Sequence, residues 1–328
     1  MKRFCKIVAC CLCIGALCLG LFGCENNTGK IKIGVMQFGE FDALTNAYQG
    51  FVDGLKDAGY VDGENIVINY KSASSDPNNC PTIADTLIND GSELILAIAT
   101  PSALAIKQKT STIPVLITAV TDPADSDIVA DNNVPGGNIT GTSDLNPVAK
   151  QIELLTQILP EAKTVAVLYC SSEPNSKIQY DLAKAAIESQ GLTCVEKTVS
   201  GIDEAPLAIT SLKGTADAIY IPTDNTLADG MNAVTQAANS VQLPTIVGEK
   251  GMVMDGGLAS YSLDYYELGK QTAQMAVEIL NGADPSTMAI QYLDEAKLEL
   301  VVNTETAAAC GITIPESVLS QATVLSEK

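Results

Sequence analysis

Acidic side chains follow several short β-branched segments of the 328-residue chain, at the points where strands would end. Asp122, Asp224 and Glu249 stand in such positions. A carboxylate held there can accept charge-assisted hydrogen bonds from a cationic group such as an ammonium. Asp224 has a competing role, because a helix is predicted to begin near Thr226 and Asp is a favoured N-cap residue. Ligand contact and helix capping are therefore both open for Asp224.

Hydrogen-bond donors gather at two predicted helix starts. Thr100 is a favoured N-cap residue, Pro101 suits the first helical position, and the first-turn amides around Ser102 point outward with the positive end of the helix dipole. A carboxylate fits such a place. The alternative at both helix starts is that the side chains only cap their own helix. The second set of hydroxyls and amides comprises Ser171, Ser172, Asn175 and Ser176.

Aromatic side chains are few, with 5 Phe, 10 Tyr and no Trp. Phe38 and Phe41 stand in the loop after the first predicted strand, where the sheet core does not need an aromatic residue. Phe41 is the better candidate for stacking on the ring of a ligand. Packing is the ordinary role expected of Phe38, Tyr265 and Tyr266.

Catalytic constellations are missing from the sequence. The chain contains no histidine, so it has no imidazole base, no Ser-His-Asp or Cys-His nucleophile system and no imidazole metal ligand. Neither a Walker A loop nor a G-x-G-x-x-G segment after a strand is present. We therefore expect neither an enzyme nor a bound cofactor.

Charge and cysteine spacing exclude two further classes. The chain has 19 Lys plus Arg against 39 Asp plus Glu and no basic cluster after its first residues, which argues against a nucleic-acid partner. Outside the N-terminal segment, the four cysteines are too far apart for a zinc site. Cys170 and Cys194 could meet on adjacent strands as a disulfide, although buried free thiols are the simpler interpretation.

The elements that must position these side chains alternate strand and helix from residue 30 onward, which is typical of βαβ units and a parallel sheet. Strands are predicted at 31–36, 66–70, 94–99 and 115–119, and the order recurs at 165–169, 193–199, 218–221 and 245–247. Val35 and Gly59 are 24 residues apart, as are Val167 and Gly191. The predicted fold is α/β: two doubly wound parallel-sheet lobes joined by a three-crossover hinge.

The remaining chain is too short for a third lobe. A helix over 266–281 is expected to return to the first lobe and the last strand to the second, with crossovers near 144–147, 262–264 and 293–297. Residues 31–145 with 264–292 then form the N-terminal lobe, and 146–263 with 297–328 the C-terminal lobe. Because a ligand binds beyond the carboxyl ends of parallel strands, the binding site is expected in the cleft between the lobes.

The N-terminus has the pattern of an export signal. Lys2, Arg3 and Lys6 precede an apolar segment over 7–22 that is short for a membrane span. Residues 21–24 (LFGC) resemble the bacterial lipobox, which predicts a signal peptide over 1–23, acylation of Cys24 and a tether over 24–30. Removal of 1–23 would change the formal charge from −20 to −23. An ordinary signal with a chance cysteine is the alternative.

Six short stretches together resemble the ABC transporter substrate-binding family that includes tryptophan- and tyrosine-binding lipoproteins. These stretches are 50–55 (GFVDGL), 97–101 (AIATP), 118–123 (TAVTDP), 135–141 (PGGNITG), 222–225 (PTDN) and 264–266 (DYY). The resemblance implies a type I periplasmic-binding-protein fold and a monomeric receptor on the outer face of the bacterial membrane that serves an ABC permease and ATPase. A ligand-sensing or adhesin lipoprotein on the same scaffold is the alternative.

The ligand is expected to be a free amino acid, with an aromatic one favoured. Its carboxylate is predicted at the helix start formed by 100–102 and its ammonium near Asp224, with Glu249 or Asp122 as the next candidates. Phe41 is predicted to contact the ring. The full set of predicted ligand-binding residues is Phe41, Thr100, Ser102, Thr118, Asp122, Ser171, Ser172, Asn175, Ser176, Asp224, Asn225 and Glu249.

Overall fold

The computed structural model describes residues 29–325. The predicted signal segment (1–23), the predicted acylation site Cys24 and most of the tether (24–30) lie outside the described residues. Between residues 29 and 325, no helix has the length and apolar character needed to cross a membrane.

The first sheet contains six parallel strands: β1 (Ile31–Gln37), β2 (Ile66–Ser72), β3 (Leu94–Ile98), β4 (Val115–Val120), β5 (Ile139–Ser143) and β11 (Gln291–Tyr292). Their spatial order is β11-β5-β4-β3-β1-β2. Every residue of the central strands β3 and β4 is buried, as expected for parallel strands covered on both faces. The associated helices are α1 (Asp42–Asp57), α2 (Cys80–Asn89), α3 (Thr100–Lys107) and α10 (Tyr265–Leu280).

The second sheet contains β6 (Thr164–Cys170), β7 (Thr193–Val199), β8 (Ala218–Ile221), β9 (Thr245–Val247), β10 (Ala259–Ser262), β12 (Glu299–Asn303) and β13 (Thr323–Leu325). The spatial order is β13-β12-β10-β9-β8-β6-β7, and β12 is antiparallel to β10 while the other pairs are parallel. The helices that accompany it are α4 (Val148–Ile158), α5 (Pro174–Ser189), α6 (Ala205–Thr210), α7 (Asn225–Asp229), α8 (Met231–Ser240), α9 (Lys250–Met254), α11 (Thr304–Ala309) and α12 (Glu316–Leu319).

The chain passes between the two sheets three times, at 144–147, 263–264 and 293–298. The predicted fold, two doubly wound α/β lobes joined by three crossovers, is confirmed. We propose that the lobe boundaries lie at these crossings, close to residues 145, 264 and 297.

Some elements differ from their sequence-based prediction. Strand β5 and helix α4 have no predicted counterpart. The helix predicted over 227–240 is divided at Gly230, where a Cβ would lie 2.2 Å from the Ile202 side chain. Thr100 is the first helical residue of α3 and not its N-cap, a position that Ala99 occupies.

The cysteines on β6 and β7 are not paired. In the parallel register, Cys170 lies opposite Val199 and Cys194 lies opposite Val165, so the two thiols are separated along the strands. Both are free thiols, as are Cys80 and Cys310. A disulfide between Cys170 and Cys194 would need a shift of the strand register.

Helix α10 returns to the first lobe through a close crossing with α1. A Cβ on Gly269 would lie 2.0 Å from the carbonyl oxygen of Ala47, and a Cβ on Gly50 would lie 1.9 Å from that of Tyr266. The two glycines therefore let the helix backbones approach more closely than any other residue would allow. This crossing attaches a segment from near the end of the chain to the first helix.

We expect Gly269→Ala to lower the free energy of unfolding by roughly 1–3 kcal/mol, because the added methyl group must push α1 and α10 apart. At an ordinary helical position the same change is stabilising. Urea unfolding followed by circular dichroism measures the difference. Gly137→Ala is the control, since a Cβ there meets no atom within 4 Å. Equal stability of Gly269→Ala and the parent would contradict the close crossing.

Candidate functional site

A small cavity of about 20 Å³ lies between the carboxyl ends of the two sheets. A space of this size holds about one water molecule, so a larger ligand requires the lobes to separate. Both lobes contribute to its walls, so opening the lobes would expose it. The lining residues are Phe41, Ala43, Leu44, Thr100, Ala119, Thr121, Asp144, Asn175, Thr223, Asp224, Asn225, Ala228, Glu249 and Tyr265.

Two strands of the first lobe end in strained backbone at this cavity. Ala99, after β3, has φ 79° and ψ 154°, a region that is otherwise almost confined to glycine. Ala119, near the end of β4, has φ 54°. The turn at Ala99 directs α3 so that its first residue, Thr100, lines the cavity. The first-turn amides of a helix have no partner within the helix and are available to an anion.

Asp144, directly after β5, contributes a buried carboxyl group to the first lobe's side of the cavity. Its Oδ2 accepts a hydrogen bond from the Tyr265 hydroxyl at 2.8 Å. Its Oδ1 is buried and has no hydrogen-bond partner among residues 29–325. Burial raises the pKa of Asp144 from 3.8 to about 6, against the lowering effect of its hydrogen bonds. The carboxylate therefore lacks one donor that would stabilise its charge.

Asn175, in the first turn of α5, supplies a second unsatisfied oxygen from the other lobe. Its Nδ2 donates to Oε2 of Glu173 at 3.1 Å and to the carbonyl of Thr223 at 3.2 Å. These contacts fix the amide so that Oδ1 is the remaining group, and within the described chain that oxygen has no partner. Asp144 and Asn175 thus present two buried acceptors to one cavity.

The carboxylate of Asp224 is occupied by the protein itself. Its Oδ1 accepts from the amide of Leu227 at 2.9 Å, as the N-cap of α7. Its Oδ2 accepts from the amide of Cys170 and the hydroxyl of Ser176, both at 2.7 Å. Burial first and the neighbouring Glu173 second raise the pKa of Asp224. Of the two roles considered for Asp224, ligand contact and helix capping, the geometry shows helix capping.

Glu249 caps α9 in the same manner. Its Oε1 accepts from the amide of Met252 at 2.8 Å, and its Oε2 accepts from the amide of Gly251. Burial, and to a smaller extent Asp42 and Asp255, raise the pKa of Glu249 to about 7 despite these two donors.

One side of the cavity is apolar. Phe41, Ala43 and Leu44 come from the start of α1, and Ala228 comes from α7 of the other lobe. Phe41 packs against the cores of both lobes. The cavity therefore combines a polar end with an apolar wall that includes one aromatic ring.

Gln179 on α5 connects the lobes beside the cavity. Its Nε2 donates to Oγ1 of Thr223 at 2.6 Å within the second lobe and to Oγ1 of Thr121 at 3.3 Å in the first lobe. The side chain is fully buried. The contact with Thr121 exists only while the two lobes are together.

The predicted site residues separate into groups. Phe41, Thr100, Asn175, Asp224, Asn225 and Glu249 line the cavity.

Other predicted residues lie close behind the lining. Ser176 is bonded to Asp224, and Thr118 is buried against Thr142 at 3.0 Å. Ser102 is buried in the first turn of α3, and its hydroxyl has no partner in the described part of the chain.

The last group lies elsewhere. Ser171 and Ser172 are exposed and are not part of the lining, and Asp122 turns its carboxylate toward Asn132 at 2.9 Å and two backbone amides. Asp144 and Tyr265 line the cavity but were not predicted to do so. Thr121 and Thr223 are not among the predicted ligand-binding residues, although both lie in loops after predicted strands, where the site was expected.

The fold and the site define a two-lobed protein of the solute-binding class, with a cavity enclosed between its lobes. Residues 32–325 match the family model described as ABC transporter substrate binding protein. The chain belongs to this family, whose members are extracytoplasmic.

Two relatives are named for the amino acids that they bind. The chain is 37% identical over 303 residues to the tyrosine-binding protein of Clostridioides difficile (strain R20291), covering 88% of this chain and 87% of the relative. It is 38% identical to the ABC domain in complex with L-Trp from Streptococcus pneumonia, with a TM-score of 0.86 and coverage of 90% and 99%.

A third relative indicates the arrangement of the lobes. It is the ligand-free, open structure of a substrate binding protein with adhesive properties from Clostridium difficile, 39% identical, with a TM-score of 0.70 and coverage of 90% and 99%. The tryptophan complex and the open relative are almost equally identical in sequence to this chain, but the tryptophan complex has the higher TM-score. The lobes of this chain are therefore arranged more as in that complex than as in the open relative.

We expect substitutions of the two buried aspartates to change stability in opposite directions. Asp224→Asn keeps an oxygen for the Leu227 amide but replaces Oδ2, the acceptor for the Cys170 amide and the Ser176 hydroxyl, with an NH₂ group, and should lower the free energy of unfolding by roughly 2–4 kcal/mol. Asp144→Asn should raise it at pH 7, because it removes a desolvated charge that has an unpartnered oxygen. Unfolding by urea, followed by circular dichroism on protein refolded from denaturant to remove ligand, measures both.

The pH dependence provides an independent check on Asp144. Its folded-state pKa is raised, so between about pH 4 and 6 the folded protein binds this proton more tightly than the unfolded chain. Its contribution therefore favours folding as pH falls through this window and is lost above it. Asp144→Asn should flatten the pH dependence by on the order of 1–3 kcal/mol. If the plots of unfolding free energy against pH for the parent and for Asp144→Asn differ only by a constant, the assignment to Asp144 is contradicted.

Proposed function

We propose that the protein is the lipid-anchored receptor of an ABC importer and that it binds a free aromatic amino acid in the cavity between its lobes. The observation that carries the proposal is the pair of buried, unsatisfied oxygens of Asp144 and Asn175 beside an apolar wall. Two acceptors of which one is a carboxylate suit an ammonium group. The tyrosine- and tryptophan-binding relatives support an aromatic side chain.

The three parts of an amino acid each have a place in this cavity. The ammonium contacts Asp144 from the first lobe and Asn175 from the second. The carboxylate lies at the first turn of α3, near Thr100, where backbone amides and the helix dipole favour an anion. The ring lies against Phe41 and Leu44. Ligand contacts from both lobes favour closure, because only the closed arrangement makes all of them at once.

This assignment replaces the carboxylate that the sequence analysis preferred for the ammonium. Asp224 was preferred for the ammonium, but its carboxylate already accepts hydrogen bonds from Leu227, Cys170 and Ser176. Among residues 29–325, Asp144 accepts from the Tyr265 hydroxyl at 2.8 Å, and its Oδ1 has no hydrogen-bond partner. We therefore propose Asp144 as the ammonium partner and Asp224 as the residue that positions Ser176 and caps α7.

Calorimetry with the twenty amino acids tests the proposal. We expect tyrosine or tryptophan to bind and Asp144→Asn to weaken binding by roughly 30-fold or more, because a buried charge-assisted contact is lost. Asp122→Asn is the matched control, since Asp122 follows β4 on the same sheet edge but does not line the cavity. Binding of a nucleoside or sugar with no amino acid bound would reject the ligand assignment and leave the family membership intact.

A ligand without the ammonium makes the role of Asp144 specific. The compound 3-(4-hydroxyphenyl)propanoate keeps the ring and carboxylate of tyrosine. We expect it to bind the parent more weakly than tyrosine and to lose little further affinity in Asp144→Asn. An equal loss for both ligands would mean that Asp144 acts through the shape of the cavity and not through the ammonium.

The lipid anchor is the part of the proposal that rests on the N-terminal sequence alone. We expect Cys24→Ser to release the protein from membranes, because the acylated cysteine is its only proposed attachment and two or more acyl chains suffice for stable anchoring. Membrane fractionation and intact mass compare the variant with the parent. Cys310→Ser is the control, since Cys310 lies in the second lobe. Retention of the Cys24→Ser variant in membranes would reject the anchor.

A further inference from the structure

Glu249 is a further buried carboxylate that lines the central cavity and has no cationic partner within residues 29–325. It also lines an adjoining cavity of about 350 Å³, together with Ala43 and Tyr265, so it stands at the boundary of the two spaces. Its exposed fraction is 4%. Helix capping accounts for two hydrogen bonds to Glu249 but does not require that it line a cavity.

The carboxylate of Glu249 retains acceptor capacity. Each oxygen accepts one backbone amide, from Met252 or Gly251. A carboxylate oxygen has about two acceptor sites, so one site on each oxygen is left after capping. Burial raises its pKa to about 7 even with two amide donors, which means that its charge is under-solvated. A further donor would stabilise the ionised form.

Glu249 and Asp144 reach the cavity from different lobes. Asp144 follows β5 in the first lobe, whereas Glu249 follows β9 in the second. The pKa of Asp144 is raised by burial, and that of Glu249 by burial together with Asp42 and Asp255, so neither acid is a main cause of the other's shift. After burial, the charges of both Asp144 and Glu249 contribute to raising the pKa of Tyr265.

The apolar wall lies next to Glu249. A Cβ on Gly251, in α9, would be 3.0 Å from the Cβ of Asp42, at the start of α1. The same helix start supplies Phe41, Ala43 and Leu44 to the wall. An aromatic ring against this wall therefore extends toward the carboxylate that caps α9.

We infer that Glu249 accepts a hydrogen bond from a donor on the ligand's ring, so that the site selects aromatic amino acids with a phenol O–H or an indole N–H over phenylalanine. The inference rests on the proposed function and assigns to one residue the choice among aromatic side chains. An amino acid has a single ammonium, which the proposal gives to Asp144, so a second cavity carboxylate is available for the ring.

The physical basis of the selection is the cost of leaving a buried acceptor unsatisfied. A ligand that fills the space beside Glu249 excludes water from it, and only a ligand with a donor compensates the carboxylate. Sites built to hydrogen-bond a substrate O–H reject the analogue without it far more strongly than apolar pockets distinguish a methylene. The difference in affinity between aromatic amino acids then depends more on whether the ring carries a donor than on the size of the ring.

The parent protein gives the first test. Calorimetry should show that L-tyrosine and L-tryptophan bind at least roughly 30-fold more tightly than L-phenylalanine and 4-fluoro-L-phenylalanine. The fluorinated compound has nearly the outline of tyrosine but no donor. Equal affinity for tyrosine and phenylalanine overturns the inference and leaves the proposed function standing. Failure of all four to bind overturns both.

The variant Glu249→Gln assigns the effect to the residue. The substitution should weaken the binding of tyrosine by about 10-fold or more and leave the affinity for phenylalanine unchanged within a factor of about 2. Asp255→Asn is the matched control, since it removes a nearby acid at the end of α9 that does not line the cavity. It should leave both ligands unaffected.

A different pattern overturns the inference. If Glu249→Gln weakens the binding of tyrosine and of phenylalanine equally, Glu249 contacts the ammonium and not the ring. Circular dichroism establishes that the variant is folded. If it does not fold, the four-ligand series on the parent decides the question by itself, because the missing donor belongs to the ligand.

Discussion

A carboxylate buried without its full set of donors is the constraint on which the binding site depends. Transfer of a charged group out of water is tolerated only when partners replace the lost hydration. Asp144 accepts from the Tyr265 hydroxyl, and its Oδ1 has no hydrogen-bond partner among residues 29–325. Burial raises its pKa to about 6. The first lobe thus carries an electrostatic cost, which the cationic group of the proposed ligand would relieve.

Two buried acids of the second lobe, Glu173 and Asp224, are instead well supplied with hydrogen-bond donors. Glu173 accepts from the backbone and side chains of Asn225 and Thr226, and Asp224 accepts from three donors. These contacts fix the start of α5 and of α7. At these two helix starts, the Asn175 Oδ1 has no hydrogen-bond partner among residues 29–325. The first lobe therefore presents the poorly satisfied charge of Asp144, whereas these two acids of the second lobe mainly hold the ends of α5 and α7 in place.

Sequence reasoning predicted the lobes, their order and several lining residues because these follow from local periodicity and from the strand-end rule. Thr100, Asn175 and Glu249 were found in this way. Asp144 was missed because β5 (ITGTS) has no apolar pattern and packs by a glycine contact, with a Cβ on Gly141 only 2.1 Å from the Ile117 carbonyl. Burial of such a strand is decided by its neighbours and not by its own residues.

Whether an acid is free or occupied could not be read from the chain. The amide of Cys170 that bonds Asp224 lies 54 residues away, and the Tyr265 hydroxyl that bonds Asp144 lies 121 residues away. Ser171 and Ser172 were predicted to face the cleft, but the chain after β6 leaves them exposed. Position after a strand predicts proximity to the cleft, whereas the direction of a side chain depends on distant partners.

The three passages of the chain between the sheets also determine when each lobe can be completed during synthesis. The first lobe lacks α10 and β11 until residue 292 has emerged, and the second lacks β12 and β13 until residue 325. Helix α10 packs on α1 across more than 200 residues of sequence, a separation that slows folding. A nascent chain that ends before residue 265 therefore lacks at least one element of each lobe, and neither core can be closed before the last part of the chain is made.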